Sequence, residues 1–288
     1  MLFRSKLFRT AAVSALLLGL SACGSSSATP ATTAAPATTA APATSATPAT
    51  LPADAPKAIV SLSPSATEML FDMEAADQVI AVDDQSNFPA EALQKPHTLS
   101  GYQPNVEAIA ALKPDLVLLS DPTIKDQLEK LGIKVWVGAA PADLKGLYDQ
   151  INELGAATGH VAAAAGVVER MKAVIDLAVS TTPKSSMGTS VYHELDPTFY
   201  SVTTNTFIGK VYELFGLKNI ADGAQPGNDY PQLNAEYIVK ANPGLVVLAD
   251  SKCCGATSAS VSGRPGWDVI DAVKNNKVIA VEIGRVHV

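Results

Sequence analysis

Four histidines, His97, His160, His193 and His287, are the side chains of this sequence best suited to proton transfer or metal ligation. None belongs to an H-E-x-x-H pair, which would set two imidazoles one helical turn apart around zinc. The chain also lacks a G-x-S-x-G elbow, a glycine-rich phosphate loop and a dinucleotide fingerprint. His193-Glu194 with Asp196 has the composition of an acid–base site, but a histidine at the end of an apolar strand more often packs than reacts. No catalytic residue and no cofactor are expected, and a hydrolase is the weakest reading. A receptor for a bare ion such as zinc or manganese is the closer alternative, and it needs about three or four His, Asp or Glu ligands in fixed geometry. His97 and His193 fall in different halves of the chain and could meet, whereas His160 falls on the helix between them, so no metal set is assigned. Cys253 and Cys254 are adjacent and lack the C-x-x-C spacing of metal and redox pairs. A vicinal disulfide beside Gly255 and two free thiols fit them equally.

The amino end states the compartment. Arg4, Lys6 and Arg9 precede an uncharged apolar run, Ala11 to Leu20, that is too short to remain as a membrane span. Leu20-Ser21-Ala22-Cys23-Gly24 follows, an order that resembles the lipobox of bacterial lipoproteins, in which the cysteine carries the lipid. Residues 1–23 therefore read as a lipoprotein signal peptide, with Cys23 as the anchor and an extracytoplasmic location. Residues 24–56 are almost wholly Ser, Ala, Thr and Pro. Such a stretch cannot bury enough apolar surface to offset the entropy of ordering it, so it reads as a disordered tether. The full chain carries 21 basic and 28 acidic residues, net −7; without Arg4, Lys6 and Arg9 the balance is 18 against 28, or −10. That acidity argues against nucleic acid as a partner.

Beyond the tether, short apolar runs alternate with helical patterns. Ala58–Leu62, Val79–Val82, Leu116–Leu119 and Ile133–Val137 read as strands, with helical spacing at 65–73, 106–112 and 124–131 between them. Continuous apolar strands alternating with helices imply an α/β fold whose parallel sheets are covered on both faces. Leu144, Leu147, Ile151 and Leu154 mark one amphipathic helix, Thr158-Gly159 a break, and Val161, Ala165, Val168, Met171, Ile175 and Val179 a longer one that Pro183 stops. At 1.5 Å per residue, about 22 helical residues span roughly 33 Å, enough for a strut between two lobes.

An internal repeat gives the same division. NVEAIAALKPDLVLLSD (105–121) aligns without gaps onto NAEYIVKANPGLVVLAD (234–250), with eight of seventeen positions identical and an aromatic, Tyr102 or Tyr230, just upstream of each copy. Two copies 129 residues apart imply two similarly built lobes and a cleft between them. The expected boundaries are 57–159 for the N-terminal lobe, 160–183 for the connecting helix and 184–288 for the C-terminal lobe. Glu107 and Glu236 stand at matching positions near helix starts, where a carboxylate complements the helix dipole.

IVSLSPSATEMLF, SNFPAEA and GYQPNVEAIAALKPDLVLLSD, then YPQLNAEYIVKANPGLVVLAD, KCCG, RPGW and VKNNKVIAV, together resemble the periplasmic binding proteins for iron–siderophores, haem and cobalamin. The resemblance runs from about Ala58 to Val281. It implies two α/β lobes joined by a single long helix, a monomer, and a metal chelate held in the cleft and delivered to the permease dimer and ATPase subunits of an ABC importer. It further implies that Glu107 and Glu236 dock onto permease arginines, and that Phe88, Tyr102 and Tyr230 line the cleft rather than merely cap loops. His193 and Tyr200 join them as candidate ligand contacts. The sequence departs from that pattern after Val281, where a final long helix is expected and EIGRVHV stands instead.

Overall fold

The first βα unit shows how local chemistry sets the architecture. Ile59–Leu62 (β1) is buried along its whole length. Ser63 then caps the helix Pro64–Asp72 (α1): its side chain accepts the Ala66 N–H, and Pro64 occupies a first-turn position that needs no donor. In the computed structural model, which describes residues 51–281, the pattern continues through Val79–Val82 (β2), Val106–Ala111 (α2), Leu116–Leu119 (β3), Lys125–Lys130 (α3) and Lys134–Val137 (β4). Leu144–Thr158 (α4) and Val161–Thr181 (α5) follow, separated by Gly159 at φ +84°, a left-handed cap that glycine adopts without strain. The second half contains Ser190–Glu194 (β5), Phe207–Leu214 (α6), Lys218–Asn219 (β6), Ala235–Ala241 (α7), Leu245–Leu248 (β7), Ser251–Cys254 (α8), Ser258–Ser262 (α9), Asp271–Lys274 (α10) and Val278–Ala280 (β8).

Two parallel four-stranded sheets result, ordered β2-β1-β3-β4 and β6-β5-β7-β8. The strand orders correspond one to one, and the sequence repeat falls on α2–β3 and α7–β7. Asn105 and Asn234 each cap their helix by accepting the N–H three residues on, from Ala108 and Tyr237. Ile109 and Ile238 are fully buried beneath them. Lys113 (φ 52°) and Asn242 (φ 47°), also 129 apart, both take the left-handed conformation that turns each chain into its strand. The repeat is thus conformational at a position where the residue types differ.

The connecting helix departs from a free strut. Ala164, Val167 and Val168 of α5 are buried in the first lobe's core with Leu70, Ile151 and Leu154. The crossing of α4 and α5 is close because Gly155 has no side chain; a Cβ there would run into that of Ala164. The buried stripe therefore includes Ala164 and Val167, while Val161 and Ala165, expected on it, are exposed. Farther along α5, Val174 and Leu177 are 47% and 64% exposed.

Residues 51–56, read as the end of the tether, are folded onto the first lobe. Pro52 and Ala55 close a turn, and the Gln78 side chain donates to the Pro56 carbonyl at 2.6 Å. Residues 1–50, which hold the expected signal peptide, Cys23 and most of the expected tether, lie outside the described residues, as do residues 282–288, where the sequence departs from the family pattern. No helix among the described residues is long and apolar enough to cross a membrane.

Candidate functional site

In parallel βα sheets the loops that leave the carboxyl ends of the strands are free to build sites. In the first lobe these loops rest on a buried polar network. Asp83, just after β2, accepts the N–H groups of Gln85 (2.7 Å) and Ser86 (3.1 Å) and the Ser86 hydroxyl (2.9 Å). Burial raises its pKa, and these donors oppose the rise. Ser86 in turn meets Thr67 (2.8 Å), which donates to Ser61 on β1 (2.9 Å). The network fixes the loop that carries half-buried Phe88 and its cis bond to Pro89. Gly101 packs against the same place: a Cβ there would come 3.2 Å from both the Asp83 carboxyl carbon and the Leu62 carbonyl. Tyr102 is therefore delivered at the ends of β1 and β2, with 90% of its surface exposed.

In the second lobe, residues 200–203 pair antiparallel with 229–232. Tyr200 bridges Gln232, Ser201 N–H donates to the Pro231 carbonyl (3.0 Å) and Thr203 N–H to that of Asp229 (2.9 Å). Tyr200 and Tyr230 are thereby set on neighbouring segments, and both are exposed, Tyr230 by 55%. A polar cavity of about 260 Å³, lined by Thr203, Asn205, Asp222 and Asp229 among others, adjoins Tyr230. A larger one of about 700 Å³ includes Lys57, Asp115, Leu116 and Lys134 and lies at the opposite, amino ends of the first lobe's strands. Neither contains an expected ligand-contacting residue.

His193 does not join the tyrosines. It alternates with Tyr192 and Glu194 along β5, so it faces α6, where its Nδ1 lies 2.6 Å from the Tyr212 hydroxyl. Only 3% of it is exposed, and burial depresses its pKa to about 4, which keeps the ring neutral. With no surface to offer, it leaves the set of ligand contacts. The histidines available to a bare metal ion stand apart: His97 is exposed in a loop, His160 precedes the first turn of α5 without a side-chain cap bond, and His193 is internal. Among the described residues no group of three His, Cys, Asp or Glu side chains converges.

Glu107 and Glu236 are exposed in the first turns of α2 and α7, shortly after Tyr102 and Tyr230 and on the same edges of their sheets. Cys253 and Cys254 are joined as a disulfide in α8, followed by Gly255 at φ +71°.

What the sequence reading missed is the aromatic and ionic cluster where β5 ends. Both terminal nitrogens of Arg264 reach Glu194, each at 2.6 Å, and the Tyr192 hydroxyl adds a third bond at 3.2 Å. The guanidinium lies 4.6 Å over the Trp267 ring and 5.4 Å over that of Phe199. Removing one partner of such a buried pair costs about 3–5 kcal/mol. The signal was the two-residue period of SVYHE, which puts Tyr192 and Glu194 on one face and His193 on the other.

A model of the periplasmic binding protein family matches residues 59–282, nearly all of the described chain. The chain belongs to that family. An ABC transporter substrate-binding lipoprotein of Bacillus subtilis, YvrC, is 32% identical over 237 residues, 79% of this chain and 73% of that protein. A cobalamin-binding protein of Halobacterium salinarum is 32% identical over 241 residues; the match takes in 81% of this chain and 65% of its relative. Among solved structures, a possible iron-binding (periplasmic solute-binding) protein of Staphylococcus epidermidis superposes with a TM-score of 0.69 at 24% identity, covering 79% of this chain and 90% of that one. The periplasmic heme-binding protein HutB of Vibrio cholerae gives 0.68 at 21%, covering 78% and 91%. These last two share the fold.

Proposed function

We propose that this chain is the extracytoplasmic solute-binding lipoprotein of an ABC importer and that it carries a metal chelate, an iron–siderophore, cobalamin or haem, between its lobes. The observation that carries the reading is the family match over residues 59–282, together with relatives whose names include a substrate-binding lipoprotein and a cobalamin-binding protein. The geometry supports it. Phe88 and Tyr102 on one sheet edge, and Tyr200 and Tyr230 on the other, offer flat apolar surface with polar tips, which suits a large planar or caged ligand. A few such faces bind without the fixed ligand set that a bare ion demands.

Titration of the purified chain with cobalamin, haem and a ferric siderophore tests the reading. One of the three is expected to bind, and Tyr102→Ala with Tyr230→Ala weakens that binding. Each ring contributes about 1.5–2 kcal/mol through area and stacking, so the double variant loses about two to three orders of magnitude in affinity. Binding of none of the three, or unchanged affinity in the double variant, overturns the reading or the placement respectively.

Anchoring belongs to the same proposal. A lipid on Cys23 would hold the folded part near the permease at the end of the tether. Cys23→Ser should move the protein from the membrane fraction to the soluble one, and its retention with the membranes would reject the anchor.

A further inference from the structure

Asp121 and Asp250 occupy the same position in the internal repeat, two residues after β3 and β7, yet they meet opposite fates. Asp121 is at the surface, where the Thr123 hydroxyl and its N–H (2.8 Å) hold the carboxyl below the usual range. Asp250 is fully buried, and among the described residues neither of its side-chain oxygens has a well-formed hydrogen-bond donor from another residue, its own N–H giving only a partial offset. A buried carboxylate left unpaired is among the costliest groups a fold can keep.

The groups around Asp250 sharpen the problem. Ala249 N–H donates to the Glu194 carbonyl (2.9 Å), which sets Asp250 beside the end of β5, where the Glu194 carboxylate already holds Arg264 and the Tyr192 hydroxyl. All three interact electrostatically with Asp250. On its own segment, Ser251 and Lys252 follow directly, and the Cys253 sulfur contacts the Asp250 carbonyl. Arg264 is already committed to Glu194 through two bonds, and Tyr192 donates to the same carboxylate. Two ionised carboxylates against one guanidinium would leave one buried negative charge without compensation. A proton removes the conflict at once: a protonated Asp250 becomes a donor, and Glu194 is the acceptor beside it.

We propose that Asp250 and Glu194 hold one proton between them at neutral pH, so that the carboxyl ends of β5 and β7 form a proton-binding site in the second lobe alone. The unit of carboxylic acid, carboxylate and guanidinium is then electrically neutral. Burial, followed by the charge of Glu194, pushes the Asp250 carboxyl above the usual range, in keeping with this. The sign follows. A carboxyl whose folded-state pKa is raised contributes stability in acid that is lost as pH rises through the folded value. Deprotonation would set Asp250 and Glu194 in competition for Arg264 and pull the guanidinium from its stack on Trp267 and Phe199. Asp250 also opens the segment carrying Cys253 and Cys254, so the loop at that sheet edge would respond to the same proton. The repeat supplies the control, since the first lobe has the aspartate without the burial.

The test is carbon-13 NMR of the full chain with labelled aspartate carboxyls. At about pH 7, where ordinary aspartates are ionised, one signal is expected in the acid form, and it should be absent from Asp250→Asn and present in Asp121→Asn. The melting temperature of the wild type is expected to fall relative to Asp250→Asn as pH rises from about 4, the ordinary aspartate value, through neutrality. If every aspartate is ionised at neutral pH, or if the acid-form signal survives in Asp250→Asn, the proposal is wrong. Should Asp250→Asn fail to fold, Asp250→Glu with labelled glutamate gives the same reading: a protonated glutamate supports the shared proton, and full ionisation overturns it.

Discussion

His193 shows how a single register decides a residue's role. One position along β5 in either direction would have placed it with Tyr192 and Glu194 beside Arg264; instead it is neutral and internal. Its depressed pKa makes it a source of acid sensitivity. A histidine whose folded-state pKa lies below its unfolded value contributes stability that is present above about 6.5 and lost as pH falls toward about 4. At 1.36 kcal/mol per unit the loss is on the order of 3 kcal/mol. His193→Gln should therefore melt at a more nearly constant temperature across that window, and an unaltered acid limb would show that another group controls it. The residue level is also where sequence reasoning reached least far. Asp121 and Asp250 are the same letter in the same motif, and only burial separates them. Arg264 finds Glu194 across 70 residues, a pairing for which no local pattern exists. The matching, exposed settings of Tyr102 and Tyr230, in contrast, follow from the repeat, because each is tied by sequence to the helix it precedes.

At the scale of elements, the strands and the helices between them were legible because a parallel sheet buries both faces of its strands and so writes unbroken apolar runs such as LVLL and LVVL. The error lay in α5, where a run rich in Ala and Gly marks its buried stripe too weakly to orient it. Gly155 is the hidden determinant of that packing. An alanine in mid-helix normally gains up to about 1 kcal/mol over glycine, but here its methyl would meet Ala164, and overpacking costs about 1–3 kcal/mol. Gly155→Ala should lower the melting temperature, and a rise would show that α4 and α5 can separate without loss. Glu107 and Glu236 belong to this scale because the helix start, rather than any side-chain partner, places them. Each should contribute only about 0.3–1 kcal/mol to folding. If, as the family resemblance implies, each docks onto a permease arginine, losing one carboxylate would cost about 2–5 kcal/mol of association. The double alanine variant is expected to keep its fold and its ligand while stimulation of the importer's ATPase collapses; loss of ligand binding instead would move both glutamates into the pocket.

For the molecule as a whole, the two sheets repeat one plan, but the helix between them does not treat the lobes alike. Its first half is part of the N-terminal core, from Ala164 to Met171, whereas from Val174 onward it presents apolar side chains to solvent. Near its end the hydroxyls of Ser180 and Thr181 bond back to the Leu177 carbonyl, and Thr182 to that of Ala178. Such back-bonding loosens a helix, and Pro183 follows at once. Mechanically the helix is a cantilever: it is clamped along its root and compliant at its tip. Any swing of the C-terminal lobe would thus be taken up in the last two turns, around 177–183, and the first lobe and the root of the helix would turn as one piece.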